Sequence, residues 1–497
     1  MNKEKNPIKE LAGQTVLYGL STIVPRFLNY AILTPFYTRV LGLKSYGIVT
    51  ELYAWMAVLL VILTYGMETA YFRYASRSEE KEKIYSTSVL TLAFTSVIFL
   101  LGIIIFLRPV AEIMEYTKHP EYILYFSLIV AVDAFAAVPF ARLRLENKGL
   151  QFGIIKLINV GIIIVIVFLY LYFIPEILKK NPNSIVRIIY NSKIGVGYVF
   201  IANLAGSIVS LILVMLENKG IKVYYNLDVI RKMLRYSLPL MIAGLFGILN
   251  DSLDKIILKR FYLGDEGLKI LGIYGANYKI AVLMTLFIQM FRYAVEPFFF
   301  RYAGKKNSKS LYAAVMRYYI LFGFIIYLSI IININIVKYL IGPDFWSGLK
   351  IVPVVLAANM LSGVFINLSV WYKINDLTRF AIILNGAGFL MTIAVNLLFI
   401  PFFGYMASAW GHVGAYVVMV FLSWYIGRKK YYIYYQVRKI IIHTIIFVVF
   451  VLIVINFSPE GNIIRMFLYD TILVGMILIL MKKEVNNIKN RIWEKID

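Results

Sequence analysis

Apolar residues occupy most of the chain in runs of about 20, separated by short polar connections. A run of that length crosses a hydrocarbon core of about 30 Å as one helix, and lipid offers the backbone no other way to satisfy its hydrogen bonds. We therefore predict an all-α polytopic membrane protein with fourteen spans, at about residues 14–37, 47–72, 86–107, 121–141, 150–173, 195–216, 236–259, 272–298, 311–335, 350–371, 378–400, 404–427, 437–457 and 461–481.

Composition supports this fold class and excludes several functions. The chain is 61% hydrophobic and only 16% charged, with a mean hydropathy of +0.76, which excludes a soluble globular protein. It has no cysteine, so disulfides, thiolate metal sites and cysteine nucleophiles are excluded together. It contains no G-x-x-x-x-G-K-[ST] loop, no Ser/His/Asp triad and no metal-spaced cluster. We expect neither an enzyme nor a resident cofactor or metal.

The net charge of +24 has to be interpreted from the distribution of Lys and Arg between the two sides of the membrane. An even number of spans places both termini on one side, and the connections on that side carry roughly 32 Lys and Arg against roughly 14 on the other. The positive-inside rule then places both termini in the cytoplasm. Much of the charge therefore serves orientation and attraction to lipid headgroups, and we expect no nucleic-acid partner.

One stretch of the sequence occurs twice. The first copy opens Tyr46-Gly47, contains Glu68 and closes at residues 72–75 with Phe-Arg-Tyr-Ala. The second copy opens Tyr274-Gly275, contains Glu296 and closes with the same four residues at 300–303, so that all seven positions share an offset of 228. This fixed order and spacing predict two homologous halves.

The repeat divides the chain into four parts. We predict a six-helix lobe over residues 1–218, a cytoplasmic amphipathic linker over 219–235, a second six-helix lobe over 236–428, and two accessory helices with a cytoplasmic tail over 429–497. Because each lobe has an even number of spans, both lobes enter the membrane from the same side. The repeat is therefore parallel, with its axis along the membrane normal.

Five basic residues fall inside the predicted spans: Arg26, Lys156, Lys255, Lys279 and Arg292. A charge near the centre of a membrane helix costs roughly 2.5–3.5 kcal/mol, so these side chains must face protein or water. Arg26 has no carboxylate three or four residues away on its helix. We therefore expect Arg26 to bind substrate.

Structural pairing is the alternative for the other bases. Asp251–Lys255 and Arg292–Glu296 are spaced four residues apart on single helices, a separation at which opposite charges pair. Lys156 lies near enough to a span end to extend its amine to the membrane surface.

Six carboxylates are candidates for binding a coupling H⁺ or Na⁺, or for closing a gate: Glu51, Asp133, Asp251, Asp254, Glu68 and Glu296. Two of them precede an arginine by five residues, as Glu68–Arg73 and Glu296–Arg301, which predicts a structural lock at the cytoplasmic gate. His412 and His443 also fall in spans, where we expect hydrogen-bonded packing residues rather than a proton relay.

Two parallel six-span lobes with basic residues inside are what an alternating-access carrier of an anionic substrate requires. Fixed Arg and Lys charges hold an anion such as phosphate in a cavity of low dielectric. A glycosyltransferase or polymerase would need a large outer loop with catalytic carboxylates, and the sequence has none.

Several stretches resemble one family. They are Leu41-Gly42 followed by Tyr46-Gly47, residues 66–74 (GMETAYFRY), 138–144 (VPFARLR), 236–240 (YSLPL) with Asp254-Lys255, 271–274 (LGIY), and Ile400-Pro401 with Gly404. In this order they are similar to the polysaccharide biosynthesis, or Wzx-type oligosaccharide flippase, family of the multidrug/oligosaccharidyl-lipid/polysaccharide (MOP, MATE-like) exporter superfamily. The resemblance covers nearly the whole chain.

The resemblance implies a flippase of the bacterial cytoplasmic membrane. Its substrate would be a polyprenyl-diphosphate-linked oligosaccharide that feeds O-antigen, capsule or exopolysaccharide assembly, with the polysaccharide polymerase machinery as a candidate partner. Family members have a cation-lined central cavity, which we assign by burial to Arg26, Lys255, Lys279 and Arg292. A MATE-type drug or cation antiporter and a flippase for the lipid precursor of peptidoglycan are the alternatives.

Overall fold

All regular secondary structure in the residues that the structure describes is helical. The computed structural model describes residues 23–219, 222–262, 264–305, 307–375, 377–457, 468–472 and 475. Within these ranges every regular element is helical, which confirms the predicted fold class.

The first lobe contains ten α-helices in the described residues. They are α1 (23–28), α2 (Thr34–Val40), α3 (Gly42–Thr64), α4 (Met67–Ala75), α5 (Lys81–Ile105), α6 (Leu107–Ile113), α7 (Pro120–Leu145), α8 (Gly149–Phe168), α9 (Ile174–Lys180) and α10 (Gly197–Leu216). A π-turn at Asn29–Leu33 joins α1 to α2, and a second at Leu169–Phe173 joins α8 to α9.

The second lobe and the start of the accessory region contain the other helices. They are α11 (Leu227–Arg260), α12 (Asp265–Ile280), α13 (Val282–Tyr302), α14 (Ser308–Ile332), α15 (Ile334–Val337), α16 (Val352–Leu368), α17 (Val370–Lys373), α18 (Arg379–Phe403), α19 (Tyr405–Lys430) and α20 (Val437–Phe457). Short 3₁₀ helices lie at Ile185–Ile189, Ser192–Ile194, Lys338–Leu340 and Pro343–Ile351.

Eleven helices of the described residues are long and apolar enough to cross a membrane. The predicted spans at 14–37 and 461–481 lie partly or almost wholly outside the described residues. The predicted thirteenth span is α20, which packs on the second lobe through the stacked rings of Phe447 and Phe324, 4.0 Å apart.

Residues 227–235 of the predicted linker are the first turns of α11, which continues through Pro239 to the far end of the bundle. The Asn226 side chain accepts hydrogen bonds from the backbone N–H groups of Asp228 and Val229, so it satisfies two donors that a helix start leaves free. The seventh span is therefore extended towards the first lobe, and Ile230 and Met233 pack against α4 and α5.

The second span bends where α3 ends. Tyr65 and Gly66 both have left-handed backbone angles, with φ of 35° and 70°, which stops the helix and restarts it as α4. A side chain at residue 66 would also press on the carbonyl of Ser237. Glycine therefore allows the bend and the close approach of α11 at the same place.

The duplicated Tyr-Gly pairs form the crossing point of the two lobes. A Cβ atom at Gly47 on α3 would overlap the carbonyl oxygen of Leu268 on α12, and a Cβ at Gly275 would overlap the side chain of Thr50. Small residues let two membrane helices approach until their backbones touch. The two copies of the motif thus pack against each other across the boundary between the lobes.

We predict that Gly47→Ala destabilises the protein, because the added methyl group forces α3 and α12 apart at a backbone contact. The expected loss is about 1–3 kcal/mol, as for other overpacked sites. Gly161→Ala is the control, since residue 161 lies on α8 with open space around it, and alanine is the better helix former there. Thermal unfolding in detergent micelles should show a lower Tm for Gly47→Ala alone; equal Tm values for the two variants would contradict the crossing.

Candidate functional site

Several contacts join the two lobes at one end of the bundle, which we call the outer end because the predicted topology places it outside. It contains α6, the α9–α10 connection and the start of α12. The Lys44 amine lies 2.8 Å from the Asp265 carboxylate, and this hydrogen bond lowers the pKa of the exposed Asp265 carboxyl. The Arg39 guanidinium donates to the carbonyl of Tyr339 at 2.5 Å. Polar contacts therefore join the lobes at this end.

A buried ion pair lies at the outer end of α11, between the lobes. The Lys259 amine is 3.0 Å from Glu51 and donates to the carbonyl of Met114 at 2.8 Å, while the Tyr116 hydroxyl donates to Glu51 at 2.6 Å. The Lys259 and Glu51 side chains are 1% and 0% exposed. The sequence placed Glu51 among the coupling or gate candidates and left Lys259 aside, because a lysine at the end of a span normally reaches for headgroups.

Towards the other end, the inner end, α13 is held by its own lobe. Its Glu296 accepts from Lys373 at 2.7 Å and from Arg292 at 3.0 Å, and the carbonyl of Phe299 accepts from the Tyr312 hydroxyl at 2.9 Å. The eighth span therefore packs on the first lobe along α12 and on the second lobe along α13. The break between these helices at Ala281 separates the two environments.

Arg26 points from the first lobe to the second. Its guanidinium donates to the side-chain oxygen of Gln289 on α13 at 2.6 Å. One helical turn further out, the Lys279 amine lies 4.6 Å from the centre of the Tyr30 ring. Two cations predicted from the sequence thus lie on the seam between α1–α2 and α12–α13, and both contact neutral partners.

Lys255 lies in a polar cluster within the second lobe. Its amine is 3.1 Å from the Asp254 carboxylate, donates to the Asp251 carbonyl at 2.7 Å, and sits 4.2 Å from the centre of the Tyr278 ring. Asp254 also accepts from the Tyr274 hydroxyl at 2.5 Å. The expected pairing of Lys255 with the Asp251 carboxylate is therefore replaced by pairing with its neighbour in the chain.

Two residues of α19 complete this cluster. His412 lies with Nε2 3.0 Å from the buried Asp254 carboxylate, and the Tyr416 hydroxyl donates to the exposed Asp251 carboxylate at 2.9 Å. His412, which the sequence placed among packing residues, is thus a direct partner of a candidate coupling carboxylate.

A second charged group lies inside the first lobe. Lys156 on α8 sits 4.1 Å from the centre of the Phe140 ring, and Asp133 on α7 is the nearest opposite charge acting on it. Lys156 is therefore turned towards α7 of its own lobe.

The repeated carboxylates lock helices within each lobe. Glu68 on α4 is bonded to Arg144 at the end of α7, and Glu296 on α13 is bonded to Lys373 at the end of α17. The two acids are 228 residues apart and the two bases 229, so the same interaction is made twice. Each carboxylate of the predicted lock thus contacts a base on another span of the same lobe.

Five cations follow the seam in order from the inner to the outer end: Arg292, Arg26, Lys279, Lys255 and Lys259. Arg292 lies about one turn inward of Gln289, the residue that Arg26 contacts, and Lys279 lies outward of Gln289. Lys255 and Lys259 lie one turn apart on α11. The described residues contain no cluster of three His, Cys, Asp or Glu side chains that could hold a metal ion. Arg26 and Lys279 thus contact the opposite lobe, Arg292 and Lys255 are paired with carboxylates of their own lobe, and Lys259 is paired with Glu51 across the lobes.

A family model described as "Polysaccharide biosynthesis protein" matches residues 11–303. The chain belongs to this family. The match covers more than half of the sequence and confirms the resemblance read from its motifs. Comparison with curated protein sequences finds no significant match.

Solved structures of transporters share the fold. The lipid II flippase MurJ in an inward closed conformation superposes with a TM-score of 0.74 at 14% identity, covering 95% of this chain and 99% of that chain. An inward-facing multidrug resistance MATE family transporter of the MOP superfamily gives 0.65 at 14% identity, covering 84% and 97%. The outward-facing conformation of a MATE family transporter gives 0.59 at 16% identity, covering 86% and 96%. The family member described here therefore has the MOP fold.

We predict that Asp254→Asn destabilises the protein by about 3–5 kcal/mol, because it leaves Lys255 and His412 beside a buried amide instead of a carboxylate. Asp251→Asn is the matched control on the same helix. Its carboxylate is exposed and bonded to a neutral tyrosine, so we expect a loss of about 1 kcal/mol. Equilibrium unfolding in mixed micelles measures both variants, and the idea fails if the control loses as much stability.

Proposed function

We propose that this protein is a flippase that moves a polyprenyl-diphosphate-linked oligosaccharide across the bacterial cytoplasmic membrane by alternating access. The observation that carries the proposal is the pair of seam cations, Arg26 and Lys279, whose contacts among the described residues are a neutral amide and a tyrosine ring. A cation inside a membrane protein is normally neutralised by an acid. These two are left available to an anion from outside the chain.

The seam cations differ in whether a carboxylate already neutralises them. Lys255 is already paired with Asp254, and Arg292 shares the single carboxylate of Glu296 with Lys373. Arg292 therefore brings an excess positive charge to the inner end of the seam, where a diphosphate would enter. Arg26 and Lys279 would hold the anion further in, since a planar guanidinium suits phosphate oxygens and a lysine adds a compact charge.

The proposal places the termini in the cytoplasm, following the bias of Lys and Arg between the two sides. The sugars would occupy the watery seam and the prenyl chain would remain in lipid. The transported lipid would then be available to polysaccharide polymerase machinery on the outer side.

Of the candidate coupling carboxylates, Asp251 is the best placed to bind H⁺ or Na⁺. It is exposed, and the hydroxyl of Tyr416 bonds its carboxylate. Glu51 and Asp254 are instead bonded to basic side chains. We therefore assign the coupling ion to Asp251 in this proposal.

Removing the charge at residue 26 should slow transport. In proteoliposomes carrying a fluorescent polyprenyl-diphosphate oligosaccharide, we expect Arg26→Gln to lower the initial flipping rate about tenfold, and Arg26→Lys to lower it less. A tenfold change corresponds to about 1.4 kcal/mol, close to the lower limit for one hydrogen bond to a charged group. Lys179→Gln, on the exposed outer connection, is the control and should leave the rate unchanged. Wild-type transport by a correctly inserted Arg26→Glu variant would contradict the role.

The substrate class is tested in the same vesicles. We expect the diphosphate-linked oligosaccharide to be flipped and an organic cationic dye to be left in place. Transport of the dye alone would favour the antiporter, and preferential transport of the peptidoglycan lipid precursor would favour the second flippase. Either result would overturn the proposed substrate without affecting the fold.

A further inference from the structure

The ion pair between Lys259 and Glu51 joins residues of opposite lobes. Lys259 ends the seventh span in the second lobe, whereas Glu51 is on α3 of the first lobe. Glu115, which belongs to the first lobe like Glu51, places its carboxylate 3.5 Å from the Lys259 amine and 3.8 Å from the Arg260 guanidinium. Any movement that parts the lobes at the outer end must separate these charges.

If the lobes separated, Lys259 would lose its present partners. The Tyr116 ring lies 4.7 Å from its amine, and this ring, the Met114 carbonyl and Glu115 all belong to the first lobe. Lys259 would therefore remain on the second lobe as a cation on the wall of the opened seam. A desolvated lysine in that position requires an anion or water.

Lys259 also continues the line of seam cations. It lies four residues beyond Lys255, which places the two Cα atoms on neighbouring turns of α11, about 6 Å apart along the helix axis. An anion held near Lys255 would meet Lys259 next on its way to the outer end. In the structure described here that next position is filled by the carboxylate of Glu51.

We propose that Lys259 is an anion-binding residue of the outer-open state and that Glu51 occupies it as an internal substitute when the outer end is closed. The ligand class is a diphosphate, so this inference rests on the proposed function. Glu51 closes the outer end in the absence of substrate, and the exchange of one anion for another allows the lobes to part without leaving Lys259 unpaired.

Spin labels can follow the opening, because the chain has no cysteine that would need removal. We choose Glu112→Cys on α6 and Lys269→Cys on α12, two exposed outer-end positions on opposite lobes. In nanodiscs, pulsed dipolar distances should show that Glu51→Gln raises the ratio of outer-open to outer-closed protein about tenfold. Asp265→Asn, which breaks the exposed Lys44 contact across the same seam, should change it less than about twofold, because exposed pairs contribute little.

Inorganic pyrophosphate then tests the anion site. Adding millimolar pyrophosphate, against sodium chloride of equal ionic strength, should raise the outer-open fraction further in Glu51→Gln but not in Glu51→Gln with Lys259→Gln. An equal response in the two variants would overturn the anion role of Lys259. An unchanged distance distribution in Glu51→Gln would overturn the lock.

A second variant keeps the test informative if Glu51→Gln does not fold. Glu115→Gln removes the half-exposed carboxylate of the cluster and should shift the distances in the same direction by a smaller amount. These measurements use no lipid-linked sugar. Their outcome is therefore independent of the flipping assay, and failure of the lock and failure of the proposed substrate can be told apart.

Discussion

A charge inside a membrane must find a partner or water, and this requirement governs where the charged side chains of the spanning helices lie. Lys156 lies beside Asp133, Lys255 beside Asp254 and Lys259 beside Glu51. The pair of Lys259 and Glu51 joins the two lobes, Lys156 contacts a ring of the neighbouring helix α7, and Lys255 is neutralised by its neighbour on α11. The exceptions, Arg26 and Lys279, lie where the two lobes face each other, and these exceptions define the candidate site.

The second constraint is the close approach of the lobes at the outer end. Backbones touch there because the glycines of the duplicated Tyr-Gly pairs have no side chain at the crossing. The buried pair of Glu51 and Lys259 lies between the same two lobes. Further inward, Glu296 and Phe299 of α13 are bonded within their own lobe, whereas Gln289 accepts from Arg26 of the first lobe. The same spanning segment thus contacts both lobes, through backbone approach along α12 and through side-chain contacts along α13.

The ion pairs show which contacts the sequence can predict and which it cannot. Spacing of four residues correctly predicted the contact of Arg292 with Glu296, since both lie on one helix. The same rule gave Asp251 for Lys255, whereas the structure uses Asp254. It gave no partner for Lys259, whose anion comes from 208 residues away. Local rules find partners on one helix only, and in a bundle the stronger partner is often on another.

The sequence by itself determined the fold class and the family, because these follow from hydrophobic run length and ordered motifs. It did not identify Lys259, the lysine that the structure buries. Only the tertiary structure decided that Glu68 and Glu296 lock helices within lobes, that His412 partners Asp254, and which seam cations keep neutral partners. The physical reason is distance: an ion pair depends on a few ångströms between side chains, and that separation is set by how the helices pack.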